Sequence, residues 1–215
     1  MKPEEIEAQS FRIIDQEAGP HDFPPEQWTI VRRMIHTSAD FEYRESVRFH
    51  PRAVKAGLEA IRRGKTIITD TNMARVGIRK KELTPFGVTV QCYIAAPEVG
   101  RIASQMGTTR ATAAVDAALA TMPGGIYVIG NAPTALLRLV ELIRSGKASP
   151  ALVIGLPVGF VNAAESKAAL IELDHPFITN TGRKGGSNVA AAVVNALALM
   201  ALKGPDRQGG ALKGP

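Results

Sequence analysis

One cysteine, Cys92, stands among 215 residues. A single thiol closes no internal disulfide and by itself builds no thiolate zinc site. Within the strand-like run at residues 88–94 it reads as a small buried apolar side chain. Aromatic residues are scarce too, 5% against 45% hydrophobic overall. The core must therefore be built from Ala, Val, Leu and Ile, which suits close packing of helices on a sheet. No run approaches 18 uninterrupted apolar residues, so no transmembrane helix is expected. Residues 1–7 are acidic and lack an apolar core, so no secretory signal is expected and the cytoplasm is the predicted compartment. Also missing are the glycine fingerprint of dinucleotide sites, the Walker A loop and the Gly-x-Ser-x-Gly elbow of hydrolases. No two of the four histidines have the His-x-x-x-His spacing of a helical metal site. Neither a cofactor nor a metal is expected.

What is present is a cationic surplus, 26 Lys and Arg against 20 Asp and Glu, for a net charge of +6. That favours an anionic partner, and charge alone leaves nucleic acid, acidic lipid and a polycarboxylate open. The densest basic clusters, Arg79-Lys80-Lys81 and Arg62-Arg63-Gly64-Lys65, are short and read first as solvated surface. The length predicts one domain.

Residues 4–18 pattern as an amphipathic helix broken at Pro20 and His21. Pro24-Pro25-Glu26 opens a second helix, proline and acid both suiting its first turn, and this helix ends near His36. A third runs from after Pro51 to Arg63, where Gly64 stops it. The pattern then becomes α/β. Strand-like runs at residues 66–70, 88–94, 125–130 and 151–156 are separated or followed by helical patterns at 99–105, 109–121, 133–145, 163–172 and 187–202. The runs at 125–130 and 151–156 are continuously apolar, as buried parallel strands are. The predicted fold is α/β, a single domain over residues 1–203 with a mostly parallel central sheet and helices on both faces. Residues 1–64 form its N-terminal helical segment and 65–203 its α/β core. Residues 204–215, where Ala-Leu-Lys-Gly-Pro recurs, read as a frayed tail.

In such sheets ligands bind at the carboxyl ends of the strands. Three glycine turns lie before helices there: Gly130-Asn131-Ala132-Pro133-Thr134, the stretch from Gly155 through Gly159 to Lys167, and Gly182-Arg183-Lys184-Gly185-Gly186-Ser187-Asn188. A fourth, Gly107-Thr108-Thr109-Arg110, caps a helix without a preceding strand. Taken singly, each is ordinary loop chemistry. Together, with free N–H groups at several helix N-termini and Arg110, Arg183 and Lys184 nearby, they suit a ligand with several carboxylates. Of the histidines, His36 ends an apolar, basic helix just before the acidic-aromatic turn Asp40-Phe41-Glu42-Tyr43. Its ordinary pKa lies near neutrality, but a lone histidine is more often structural than catalytic.

Several segments together carry a specific resemblance. They are Glu7-Ala8-Gln9-Ser10-Phe11, Arg33-Met34-Ile35-His36-Thr37-Ser38-Ala39-Asp40-Phe41, Thr69-Asp70-Thr71-Asn72-Met73-Ala74, Thr109-Arg110-Ala111-Thr112-Ala113-Ala114, Gly130-Asn131-Ala132-Pro133-Thr134-Ala135-Leu136, Pro157-Val158-Gly159-Phe160-Val161-Asn162-Ala163-Ala164-Glu165-Ser166-Lys167, and the run from Gly182 to Ala192. In this order they resemble the precorrin-8X methylmutase family, isomerases of the corrin pathway to vitamin B12. Asn162 departs from the glycine usual there. The resemblance implies migration of a methyl group from C-11 to C-12 of precorrin-8X or cobalt-precorrin-8, giving hydrogenobyrinate or cobyrinate. It places the family's general acid on His36 and its substrate contacts on Ser10 and Arg33. Further substrate-binding candidates are Thr109, Arg110, Gly130, Asn131, Thr134, Gly159, Arg183, Gly185 and Ser187. The implied partner is an anionic tetrapyrrole, a polycarboxylate corrin precursor, rather than nucleic acid or a membrane. The family is homodimeric with its site near the subunit interface, and the His-Thr-Ser-Ala-Asp-Phe motif is closer to its cobalt branch. A non-catalytic tetrapyrrole carrier is the alternative: it would keep the cationic turns without needing His36.

Overall fold

The structure is a computed structural model and describes residues 2–204. Apart from Gly204, the expected tail lies outside those residues. Six strands form one sheet in the order β1-β6-β5-β4-β2-β3, with β1 Val47–Phe49, β2 Ile67–Thr69, β3 Val90–Cys92, β4 Ile126–Ile129, β5 Leu152–Gly155 and β6 Phe177–Asn180. The pairs β2–β3, β2–β4, β4–β5 and β5–β6 are parallel. β1 alone is antiparallel, pairing Val47 with Asn180 and Phe49 with Ile178.

The central strands are apolar on both faces because both faces are covered. Successive side chains alternate across a strand. Ile126, Val128, Leu152 and Ile154 pack with α2 (Pro25–Ser38), α4 (Ala53–Arg62) and α11 (Ser187–Lys203). Tyr127, Ile129 and Val153 face the other way, against α8 (Arg110–Ala117), α9 (Pro133–Arg144) and α10 (Ala163–Ile171). α11 is buried along most of its length, as a helix rich in Ala, Val and Leu on every face must be. α1 (Pro3–Ala18) lies on α2, while α5 (Asn72–Gly77) and α6 (Lys80–Leu83) pack against α11. α3 (Tyr43–Ser46) leads into β1, and α7 (Pro97–Gln105) precedes α8.

Two readings change. The N-terminal segment contributes a strand, β1, as well as helices. Cys92 is half-buried rather than buried, because β3 is an edge strand. Asn162 has φ +59°, the left-handed region that glycine enters freely and Asn tolerates better than most residues. The departure from glycine at that position therefore preserves the turn.

All parallel strands end at one edge. Asp70, Gly130, Leu156 and Thr181 begin the loops there, and α11 starts beside them. This edge and the C-terminal end of α2 form the candidate site.

Candidate active site

Ile30, Val31, Met34 and Ile35 anchor α2 in the core. That turns Arg33 and His36, three residues apart and hence on one face, toward α1. The helix stops at Ala39, whose φ of +54° bends the chain away. Phe11 of α1 is the common support. Its ring centroid lies 5.1 Å from that of His36 and 4.5 and 4.7 Å from the guanidinium carbons of Arg32 and Arg33, within the range of cation–π attraction. Arg33 donates to Glu7 at 2.6 Å, and this bond holds the Glu7 carboxyl below its ordinary range. Ser10 donates to the Ile6 carbonyl at 2.9 Å.

His36 lines two clefts. One, of about 380 Å³, is largely apolar, with Ile13, Ile14, Ile35 and Phe41 beside Ser10 and Glu17. The other, of about 220 Å³, sets the side chains of Arg33, Thr37, Arg79, Asn188 and Asn195 around Gly77, Ala191 and Ala192, so that two guanidinium groups border a mostly apolar surface. An imidazole exposed at this seam can reach a flat apolar molecule on one side and its polar substituents on the other.

The loop after β6 adjoins the smaller cleft through Thr37 and Asn188, which also line a hollow with Lys184, Gly185 and Val158. Lys184 is not the free cation its setting suggested. Its ammonium spans Asp40 at 2.6 Å and Glu42 at 2.7 Å, tying this loop to the turn that follows His36. Lys167, fully buried on α10, donates to the Lys184 carbonyl at 2.7 Å and to Asn180 Oδ1 at 3.1 Å. Gly185 has room for no side chain, since a Cβ there would lie 2.2 Å from the Leu156 carbonyl oxygen. The Gly159 N–H donates to the Arg183 carbonyl at 3.2 Å, and the Arg183 guanidinium sits 5.5 Å from the Phe160 ring centroid. Ser187 shares a hydrogen bond with Thr71 at 2.8 Å.

The turn after β4 requires a correction. Its N–H groups do hold a carboxylate, but an internal one. Gly130, Asn131 and Ala132 donate to buried Asp70 at 3.0, 2.8 and 2.8 Å. Those donors are not free for a substrate arm. Burial pushes the Asp70 carboxyl up, against the pull of the three N–H groups. Gly130 is needed for close approach: a Cβ would stand 2.6 Å from the Ser187 Cα. Thr134 shares a hydrogen bond with Thr109 at 3.0 Å. Thr109 caps α8 by accepting from the Thr112 N–H, and the Arg110 guanidinium lies over Gly100 of α7.

Within one chain, the candidates thus fall into three groups. Ser10, Arg33 and His36 stand together. Gly130 abuts Ser187, which with Gly159, Arg183 and Gly185 belongs to neighbouring loops at the sheet edge; Gly185 lines the hollow next to the His36 cleft, not that cleft itself. Thr109, Arg110, Asn131 and Thr134 form a separate cluster beside α8 and α9. Among the described residues no group of three or more His, Cys, Asp or Glu side chains could hold a metal ion. Among the same residues no helix is long and apolar enough to cross a membrane.

A family model described as precorrin-8X methylmutase matches residues 5–200. The chain belongs to the precorrin-8X methylmutase family. It is 49% identical to a protein of Priestia megaterium named cobalt-precorrin-8 methylmutase, covering 98% of this chain and 94% of that one. It is 38% identical to a Sinorhizobium protein named precorrin-8X methylmutase, over 90% and 92% of the two chains. A crystal structure of precorrin-8X methylmutase from Thermus thermophilus superposes with a TM-score of 0.86 at 51% identity, covering 92% of this chain and 96% of that one. Family membership accords with the α/β fold, which the Thermus thermophilus structure shares.

Local pattern did not single out Arg79, Asn195 or Lys167. Arg79 lay in a short basic run that reads as surface, Asn195 in the middle of an apolar helix, and Lys167 among alanines. Only the packing of α5, α11 and β6 brings them to the site.

Proposed function

We propose that this protein moves a methyl group from C-11 to C-12 of precorrin-8X or cobalt-precorrin-8, with His36 as the general acid. The observation that carries the reading is His36 exposed at the seam between an apolar and a cationic cleft. The conjugated ring lies on the apolar side with one arm toward the guanidinium side. The imidazolium gives a proton to a ring nitrogen, or holds it there, and leaves the adjoining carbons electron-poor. The methyl group then shifts as a 1,5-sigmatropic migration, and the proton returns, so atoms and charge balance without a nucleophile or second acid. Cobalt, where present, arrives with the substrate.

The higher identity to a protein named for the cobalt substrate supports the cobalt form. The protein acts in the cytoplasm as a homodimer. Ser10 and Arg33 contact the substrate directly, and Gly185 and Ser187 shape the loop beside it.

His36→Ala tests the reading. Product binding survives, because the clefts remain, while turnover with precorrin-8X or cobalt-precorrin-8, followed by ultraviolet-visible absorbance, falls by about 10²–10⁴-fold. Wild-type turnover by the variant would remove His36 from the chemistry and leave a tetrapyrrole carrier as the better description.

A further inference from the structure

The methyl shift asks nothing of Arg79, yet Arg79 lines the smaller cleft with His36 and Arg33. Its place is fixed twice. Its backbone N–H donates to Asn195 Oδ1 at 2.8 Å, and Asn195 Nδ2 donates to the Gly77 carbonyl at 3.0 Å. The connection between α5 and α6 is thereby tied to α11. Its guanidinium meets Glu82 at 2.5 Å, and the Glu82 side chain is only 8% exposed while that of Arg79 is 51% exposed. A buried carboxylate thus holds one side of the fork and leaves the rest open.

The other cations around His36 are more fully committed. Arg33 is 14% exposed and bound to Glu7. Arg32 is bound to Asp15, and Lys184 spans two acids. The cleft itself, at about 220 Å³, is smaller than the roughly 300–1,000 Å³ that encloses a drug-sized ligand. It fits a side arm and not a macrocycle.

We propose that Arg79 is a substrate-binding residue that takes one carboxylate arm of the corrin precursor, a specificity contact that rests on the methylmutase reading. A planar fork pairs with a carboxylate through two parallel hydrogen bonds. Held there, the arm sets the rotation of the macrocycle in its own plane and hence which ring nitrogen faces His36.

The test is an absorbance titration of the full chain with hydrogenobyrinate at low ionic strength. Arg79→Gln alone leaves Glu82 buried and unpaired, which is destabilising in itself. The variant used is therefore Arg79→Gln with Glu82→Gln, its fold checked by thermal melting. It binds the free acid about 10–100-fold more weakly than wild type, the scale of a lost charged hydrogen-bonded contact. Toward the methyl-esterified product, wild type and variant differ by no more than about threefold, since no charged arm remains to lose. Equal binding of the free acid by both proteins overturns the assignment, and so does an equal weakening toward acid and ester. If wild type does not bind hydrogenobyrinate, the same comparison is made with cobyrinate; if wild type binds neither, the methylmutase reading falls and the role of Arg79 falls with it.

Discussion

Lys167 has no exposed surface, and its amine finds two acceptors, Asn180 Oδ1 and the Lys184 carbonyl. Two is the donor count of a neutral amine, and burial pushes its pKa down to about 8 from an ordinary 10.5. The unfolded chain keeps that proton up to about 10.5 and the folded chain releases it near 8. Folding therefore expels a proton between those values, and this group makes stability rise with pH across that window. Lys167→Met keeps the side-chain length and removes the titration. Urea unfolding at pH 7.5 and pH 10 should show wild type gaining about 2 kcal/mol on the variant between the two; a constant difference would mean that the lysine titrates as it does in water. None of this is legible locally. Lys167 follows Ala-Ala-Glu-Ser and reads as a solvent-facing helical residue, because its acceptors lie 13 and 17 positions later. Arg79 was hidden in the same way, its partners being a buried Glu82 and a distant Asn195. The placing of His36 and Arg33 on one face of α2 was legible, because the apolar residues that anchor the helix, Ile30, Val31, Met34 and Ile35, are contiguous with them.

At the scale of elements, the first turn of α9 shows both what local pattern reaches and where it stops. A proline at the first helical position and free N–H groups before it predict an anion at this N-terminus. The anion is there, but it is Asp70, about 60 positions earlier in the chain. It arrives because β2 pairs with β4 in the register that sets Thr69 beside Val128, and that register is invisible in either segment alone. Asp70→Asn keeps the shape and turns an amide NH₂ toward donors already pointing at it. Denaturant unfolding should show a loss of about 1–3 kcal/mol, with the β4–α9 turn as the first region to lose amide-exchange protection; unchanged stability would make the Asp70 bonds dispensable. The same logic explains the strands. β4 and β5 announced themselves as apolar runs, whereas β1 is three residues long with an exposed Arg48 and β6 ends in Thr-Asn. Their identity as strands comes from pairing with each other and with β5, not from their own composition.

At the scale of the whole molecule, one chain leaves its candidate residues divided. Ser10, Arg33 and His36 flank α1 and α2, while Thr109, Arg110 and Thr134 gather at α8 and α9. Phe160 and Val161 are 85% and 77% exposed, and Met73 and Val76 of α5 are 69% and 73% exposed. Large apolar side chains left bare beside the carboxyl edge are what a second copy would cover. A homodimer in which the Arg110 cluster of one chain completes the His36 site of its partner would reunite the two groups. That arrangement has an arithmetic consequence. His36→Ala and Arg110→Ala are each impaired as homodimers, yet a mixed dimer carries one site in which both residues are intact. With subunits exchanged at equal amounts, half the dimers are mixed and half their sites work, so activity recovers to about a quarter of wild type. Sedimentation at assay concentrations checks that the mixture is dimeric. Recovery no greater than the average of the two parents would place His36 and Arg110 in the service of the same chain. The two-chain site would then give way to one built by a single subunit, with the α8–α9 cluster serving the fold alone.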